Sequence, residues 1–220
     1  METSAIGIIG DVHAEDRNLR CVLSYCDQHG IRDVVCVGDI VTGIGNVEAC
    51  CSILRERRIP TVRGNHDRWL LAWGAVSMQH GHRLDDLSPE SQRWLAQLPI
   101  RFDRETPLGT ALICHGIGTD DMALIEAGST DEFVLQNTPL GVLSQLGLWR
   151  ILIHGHSHRR MVRTIKAGPK NEMTVINAGT LRRDHQPCFA VCDFKARAVK
   201  FIDLTGDHRT GDEVVVPLTI

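Results

Sequence analysis

The sequence predicts an α/β chain of two stacked sheets with helices outside, and three observations carry that expectation. Roughly the first sixty residues read β-α-β-α-β, the pattern of parallel strands joined by crossover helices. From Ile151 onward the chain reads almost entirely as strands separated by turn residues. No internal repeat, low-complexity tract or linker divides it, so residues 1–220 are expected to form a single domain.

The elements follow in order. Ala5-Ile6-Gly7-Ile8-Ile9, closed by Gly10, is a buried strand. Leu19, Val22, Leu23 and Cys26 recur at helical spacing, with Gly30 as the stop. Val34 to Val37 is a second strand. Asn46 caps a helix whose apolar face is Val47, Cys50, Cys51 and Leu54. Ile59-Pro60-Thr61-Val62 begins a third strand. Ser88-Pro89 opens a short helix carrying Trp94, Leu95 and Leu98. Ala111 to Cys114 is a further strand, and residues 117–148 read as a loop with short helices over a site. The back half offers strands at Ile151–Ile153, Met161–Ile165, Met173–Ile176, Phe189–Phe194, Val199–Ile202 and Val214–Val216, with a turn at Ala167 to Asn171.

Bulk properties exclude several classes. A net charge of -3 gives no general attraction to nucleic acid or anionic membrane. No run approaches a membrane span, and Met1 to Ser4 lacks the basic start of a secretory signal. The eight cysteines form no Cys-x-x-Cys pair, which predicts reduced thiols and a cytoplasmic protein.

Chemistry is concentrated in five segments: Asp11-Val12-His13, Gly38-Asp39, Gly64-Asn65-His66-Asp67, His115-Gly116 and Gly155-His156-Ser157-His158. Four of the five directly follow an apolar run, which puts two carboxylates, an amide oxygen and four imidazoles at strand ends where loops gather. That donor set suits a pair of divalent first-row metals. Asp11 and His13, two apart, can converge on one ion, and Asp39 can bridge two. Two divalent ions carry four positive charges and the two aspartates offset only two, so the site stays cationic and attracts a phosphate oxyanion. Metal binding brings the pKa of water to about 7, supplying a nucleophile at neutral pH. His66, beside Asn65 and Asp67, is expected to act as general acid for the leaving group, with Asp67 orienting it.

This set of motifs resembles the calcineurin-like metallophosphoesterase superfamily, over roughly Ile6 to Phe194. The resemblance implies a four-layer α-β-β-α sandwich of two mixed sheets flanked by helices. It implies that Asp11, His13, Asp39 and His158 hold one metal and that Asp39, Asn65, His115 and His156 hold the other. It implies, too, a phosphoester cleaved by a metal-bridging hydroxide, with Asn65 and His66 on the phosphate and His66 near the leaving group. Manganese is the expected ion, with iron, nickel or zinc as alternatives.

No Asp-Arg-Gly follows Gly38-Asp39, unlike in protein phosphatases and diadenosine tetraphosphatases. Arg63 to Asp67 and Ile176 to Leu181 are instead similar to small bacterial and archaeal phosphodiesterase-like members, so a phosphodiester is favoured over a monoester. Ala14-Glu15 departs from the usual Gly-Asn, and Ala178 and Thr180 replace Pro and Ser. These departures touch substrate choice, and a nucleic-acid substrate stays open beside a small phosphoester. Oligomeric state is unread.

Other readings compete. A non-catalytic scaffold, similar to the retromer subunit of this fold, is opposed by the retained His66 and complete ligand set. A protein or nucleotide phosphatase of the same superfamily is a further alternative, and an amidohydrolase would open with His-x-His rather than Asp11-Val12-His13. His154 is expected at a hydrogen-bonded inner position rather than as a ligand. His80 and His82 are expected in a solvated loop, and Asp120-Asp121 in a turn or at the entrance. Arg159, Arg160, Arg163, Arg182 and Arg183 are exposed charges or grips for an extra phosphate. Trp69 and Trp73 read as helix packing.

Overall fold

The computed structural model describes residues 4–168 and 171–219. Strand β1 (Ala5–Ile9) leads through α1 (Asp16–Gln28) to β2 (Asp33–Cys36), then α2 (Val47–Glu56) and α3 (Asn65–Trp73). A short 3-10 turn and α4 (Pro89–Gln97) precede β3 (Arg101–Arg104) and β4 (Ala111–Cys114). Helices α5 (Asp131–Asn137) and α6 (Leu140–Leu146) come next. The chain closes with β5 (Ile151–His154), β6 (Met161–Lys166), β7 (Glu172–Asn177), β8 (Cys188–Asp193), β9 (Ala198–Leu204) and β10 (Thr210–Pro217).

The strands form two five-stranded sheets, in the orders β10-β9-β8-β1-β2 and β3-β4-β5-β7-β6. Both are mixed: β1 runs parallel to β2 but antiparallel to β8, while β5 is parallel to β4 and β7, which itself pairs antiparallel with β6.

Period-two alternation sorts the apolar residues into layers. Ile6, Ile8, Val35, Ala190 and Phe201 of the first sheet meet Ile113, Ile151, Ile153 and Ile176 of the second in a core between the sheets. The outer face of the first sheet packs Ile9, Cys36 and Phe189 on Leu19, Val22, Cys50, Leu54 and Leu95 of α1, α2 and α4. The outer face of the second packs Leu112, Leu152 and Val175 on Val134, Leu140 and Leu143. The result is the expected four-layer α-β-β-α sandwich of two mixed sheets flanked by helices.

Local chemistry sets the helix ends. Asn46 Oδ1 accepts the Ala49 N–H at 2.9 Å, and Ser88 Oγ accepts that of Ser91 at 3.2 Å with Pro89 in the first turn. The expected third strand at Ile59–Val62 shrinks to a single parallel bridge between Cys36 and Thr61. Pro60 has no N–H to continue a ladder, and Arg63 N already donates to Pro99 O as the chain turns into α3. The strand Arg101–Arg104 escaped the sequence reading because its charged alternation, with Arg101 and Asp103 exposed, gives no apolar signal. Of the expected turn at Ala167–Asn171, Pro169 and Lys170 lie outside the described residues.

Candidate metal centre

The C-terminal ends of β1, β2, β4 and β5 deliver four of the five segments to one place, and the start of α3 brings Gly64 to Asp67 there. Donor atoms of Asp11, His13, Asp39 and His158 lie within 4.8 Å of one another, and so do those of Asp39, His115 and His156. Asp39 belongs to both groups. Asn65, the first residue of α3, places Oδ1 2.9 Å from His115 Nε2 and 2.9 Å from His156 Nδ1. All seven residues named as ligands from the sequence therefore surround one centre.

The backbone is bent to achieve this. His13 (φ 46°), Asp39 (φ 46°), His156 (φ 67°) and His158 (φ 59°) all occupy the left-handed region, which costs about 1–3 kcal/mol at each such residue and persists where surroundings enforce it. Two glycines provide the clearance. A Cβ on Gly64 would lie 2.1 Å from Asp39 Oδ1, and one on Gly155 would lie 2.2 Å from Asp11 Oδ1.

The imidazoles are aimed by the nitrogens they turn away. His13 Nδ1 faces Thr42 O at 2.7 Å and His115 Nδ1 faces Val37 O at 2.8 Å, so each donates its Nδ1 proton outward and turns Nε2 to the centre. The Nε2 atoms of His13 and His158 then stand only 2.9 Å apart. Asp11 and Asp39 are buried, and one oxygen of each (Oδ2) makes no hydrogen bond among the described residues. Converging ring nitrogens and buried carboxylate oxygens without hydrogen bonds would be costly on their own; they fit bound cations.

Electrostatics agree. Burial opposes ionisation of Asp39, but His115, His13 and His66 outweigh it and hold its carboxyl well below the usual range. Asp11 is likewise lowered, by His158 and His115 against burial. Burial also works against a charge on His115, yet Asp39 and Asp11 lift that imidazole to about 10, so a cation bound there would have to displace its Nε2 proton. Burial pushes His13 down to about 4.

Three expectations change. Asp67 does not orient His66: its carboxylate accepts the N–H groups of Ile40 (2.8 Å), Val41 (3.2 Å) and Gly64 (2.9 Å). It thereby fixes the Asp39 loop against the start of α3. His66 packs on Trp69 and His13, its Nε2 is 3.9 Å from Asp39 Oδ2, and its buried Nδ1 has no hydrogen-bond partner among the described residues. Burial lowers its pKa against the pull of Asp39, which favours the neutral ring over the acid form expected from Asp67. His154 is fully buried, but neither ring nitrogen is hydrogen-bonded among the described residues, contrary to expectation.

The flanking charges are mostly committed. Arg160 pairs with Asp203, Arg163 with Asp131, Arg182 with Asp184 and Arg183 with the buried Glu15. Arg68 forks onto Asp121, while Asp120 caps the turn at Met122 and Ala123. His82 Nδ1 accepts the Thr42 N–H rather than lying free, and His80 is exposed. Trp69 and Trp73 stack with centroids 6.0 Å apart, yet Trp73 is 67% exposed.

Sequence reasoning missed three supports. Asn177 Nδ2 donates to Gly155 O (2.6 Å) and Ser157 Oγ (3.1 Å), holding the histidine loop. Thr180 Oγ1 donates to Asp11 O at 2.8 Å. His185 Nδ1 lies 2.9 Å from His158 Nδ1. The Ile176–Leu181 similarity covered Asn177 and Thr180 without assigning either a hold on the site loops, and His185 lies beyond it.

Residues 5–197 match the family model of the calcineurin-like phosphoesterase superfamily domain. This chain belongs to that superfamily. A curated relative, the uncharacterized protein MJ0912 of Methanocaldococcus jannaschii, is 28% identical over 124 residues, 52% of this chain and 50% of its own. The match thus spans about half the length of that relative. Two crystal structures share the calcineurin-like fold. A metallophosphoesterase from Sphaerobacter thermophilus superposes with TM-score 0.66 at 21% identity, covering 93% of this chain and 89% of its own. The hypothetical protein PH1004 from Pyrococcus horikoshii OT3 superposes with TM-score 0.70 at 16% identity, covering 90% and 87%.

Proposed function

We propose that this phosphoesterase hydrolyses a small phosphodiester at a binuclear metal centre, with residues 1–220 working as one domain. The observation that carries the reading is the sharing of buried Asp39 between two groups of donors, Asp11–His13–His158 and His115–His156, with Asn65 Oδ1 beside the second. Divalent ions bound there supply charge to polarise a phosphoryl oxygen and bring the pKa of water near neutrality.

The chain's own residues supply the rest. Asp11 and Asp39 carry too little negative charge to neutralise two such ions, so the centre retains its attraction for a phosphate oxyanion. His66, only 12% exposed in its side chain, has an N–H to offer the leaving-group oxygen as a neutral donor, and Asn65 and His66 are the proposed phosphate contacts. A cavity of about 240 Å³ opens beside His156, lined by Leu124, Ile125, Met161 and Arg159. It has room for one organic arm of a diester, and no ion pair engages Arg159 among the described residues. Manganese is the proposed ion, and the eight free cysteines support a reducing, cytoplasmic setting.

The test is a panel of metals against substrates on chelator-stripped protein. Activity should return with manganese and be higher on an activated diester than on its monoester. No turnover of either ester with any first-row metal sinks the hydrolase reading and revives a scaffold; a preference for the monoester sinks the diester assignment alone.

A further inference from the structure

One metal-facing imidazole is braced unlike the others. His13 and His115 direct Nδ1 at backbone carbonyls, but His158 directs its Nδ1 at another imidazole, His185 Nδ1, 2.9 Å away. The opposite nitrogen of His158, Nε2, lies 3.0 Å from Asp11 Oδ2 and 2.9 Å from His13 Nε2, facing the centre. A ligating imidazole must present a bare lone pair to the ion, so its proton belongs on the other nitrogen and needs an acceptor there. Two Nδ1 atoms at this separation share one proton. With that proton on His158, His185 accepts through Nδ1 and keeps its own on Nε2.

We propose that His185 is a positioning residue of the metal centre, accepting the Nδ1–H of His158 and so holding His158 Nε2 toward the ion bound with Asp11, His13 and Asp39. The inference rests on the binuclear reading above.

The segment carrying His185 is fastened in a way that suits this role. Thr180 Oγ1 and Leu181 N both donate to Asp11 O, and Asn18 Nδ2 donates to Leu181 O. Arg183 Nε and Nη2 fork onto Glu15 at 2.8 and 2.7 Å, and Arg183 N donates to the same carboxylate. Glu15 is 1% exposed, and a carboxylate so buried demands a partner. Arg182 closes onto Asp184, and His185 N donates to Arg182 O. Glu15, two residues beyond the ligand His13, thus grips the residue two before His185. The Glu15 departure from the usual asparagine has a structural use: it provides the anchor for this loop.

The test is calorimetric titration of stripped protein with manganese, repeated with cobalt while its visible spectrum is followed, for wild type, His185→Ala and His185→Asn. Asparagine is chosen because its Oδ1 stands near the position of the histidine Nδ1 and can accept the same proton. Wild type should bind two ions. His185→Ala should weaken one of them about 10–100-fold, change the cobalt spectrum of that ion alone and leave the other affinity within twofold. His185→Asn should recover to within a few-fold of wild type. His185 is exposed, so stripped variants should melt with wild type. Equal affinity of His185→Ala and wild type for both ions overturns the inference and spares the metal centre, as does His185→Asn binding no better than His185→Ala. Wild type binding fewer than two ions overturns both.

Discussion

At the residue scale, the proposed ligands are held by atoms that never touch the ions. Gly155 leaves space for Asp11: an added Cβ would lie 2.2 Å from Oδ1 and 2.7 Å from Val37 Cγ2, and Oδ1 is held there by the His156 N–H. Gly155→Ala should therefore lower metal occupancy by at least tenfold while the protein still folds, read by elemental analysis beside circular dichroism. Asp39 and His66 separate binding from turnover. Asp39→Asn should lose most of its metal and its activity together, since Asp39 serves both groups. His66→Ala should keep two ions but slow turnover, most for poor leaving groups; unchanged rates on an alkyl ester would remove His66 from the proposed chemistry. The candidate ligands were legible because their motifs stand at the ends of apolar runs; the left-handed turns at His13, His156 and His158, which send His156 and His158 to different donor groups, were not. Nor was what Asp67 does. Its carboxylate reaches back to Ile40 and Val41, 27 and 26 residues away in sequence, and adjacency to His66 carried no information about that direction.

At the element scale, one side chain links two helices. Glu48 on α2 accepts from Ser88 N and Ser88 Oγ at the start of α4, from Ser91 Oγ within α4, and from Ser52 Oγ on its own helix. Burial opposes its charge, but the Ser88 N–H and the serine hydroxyls outweigh that and lower its pKa below the ordinary 4.5. A carboxyl lowered on folding stabilises fully above its unfolded pKa, and that contribution disappears as pH falls through the folded value. Glu48→Gln should thus cost about 0.5–1 kcal/mol at pH 7 after allowing for its partial exposure. The gap to wild type should narrow as pH falls below 4.5, followed by urea unfolding across pH; a gap independent of pH contradicts this account. Helix caps and apolar stripes made these elements readable. The short strand at Arg101–Arg104 forms because β4 offers it an edge, a cause that lies outside its own residues.

For the whole molecule, the eight cysteines give a global probe. All are free, seven are buried and Cys21 alone is partly exposed. Burial pushes Cys26 and Cys188 to about 11 and Cys114 and Cys192 to about 12. A thiol reagent at pH 8 should modify Cys21, itself raised by partial burial, well before the others, which react only on unfolding; a second thiol as accessible would mean that a helical layer opens readily. The layered plan was legible from strand periodicity, whereas the pairing order, which brings β8 beside β1 across most of the chain, left no mark in local sequence.

One consequence follows from where the ligand loops begin. Asp11, His13 and Asp39 leave β1 and β2 of one sheet, whereas His115, His156 and His158 leave β4 and β5 of the other. Cations seated among them would clasp the two halves at that rim, as a buckle joins two straps. The greasy layer between the halves tolerates sliding; coordination bonds do not.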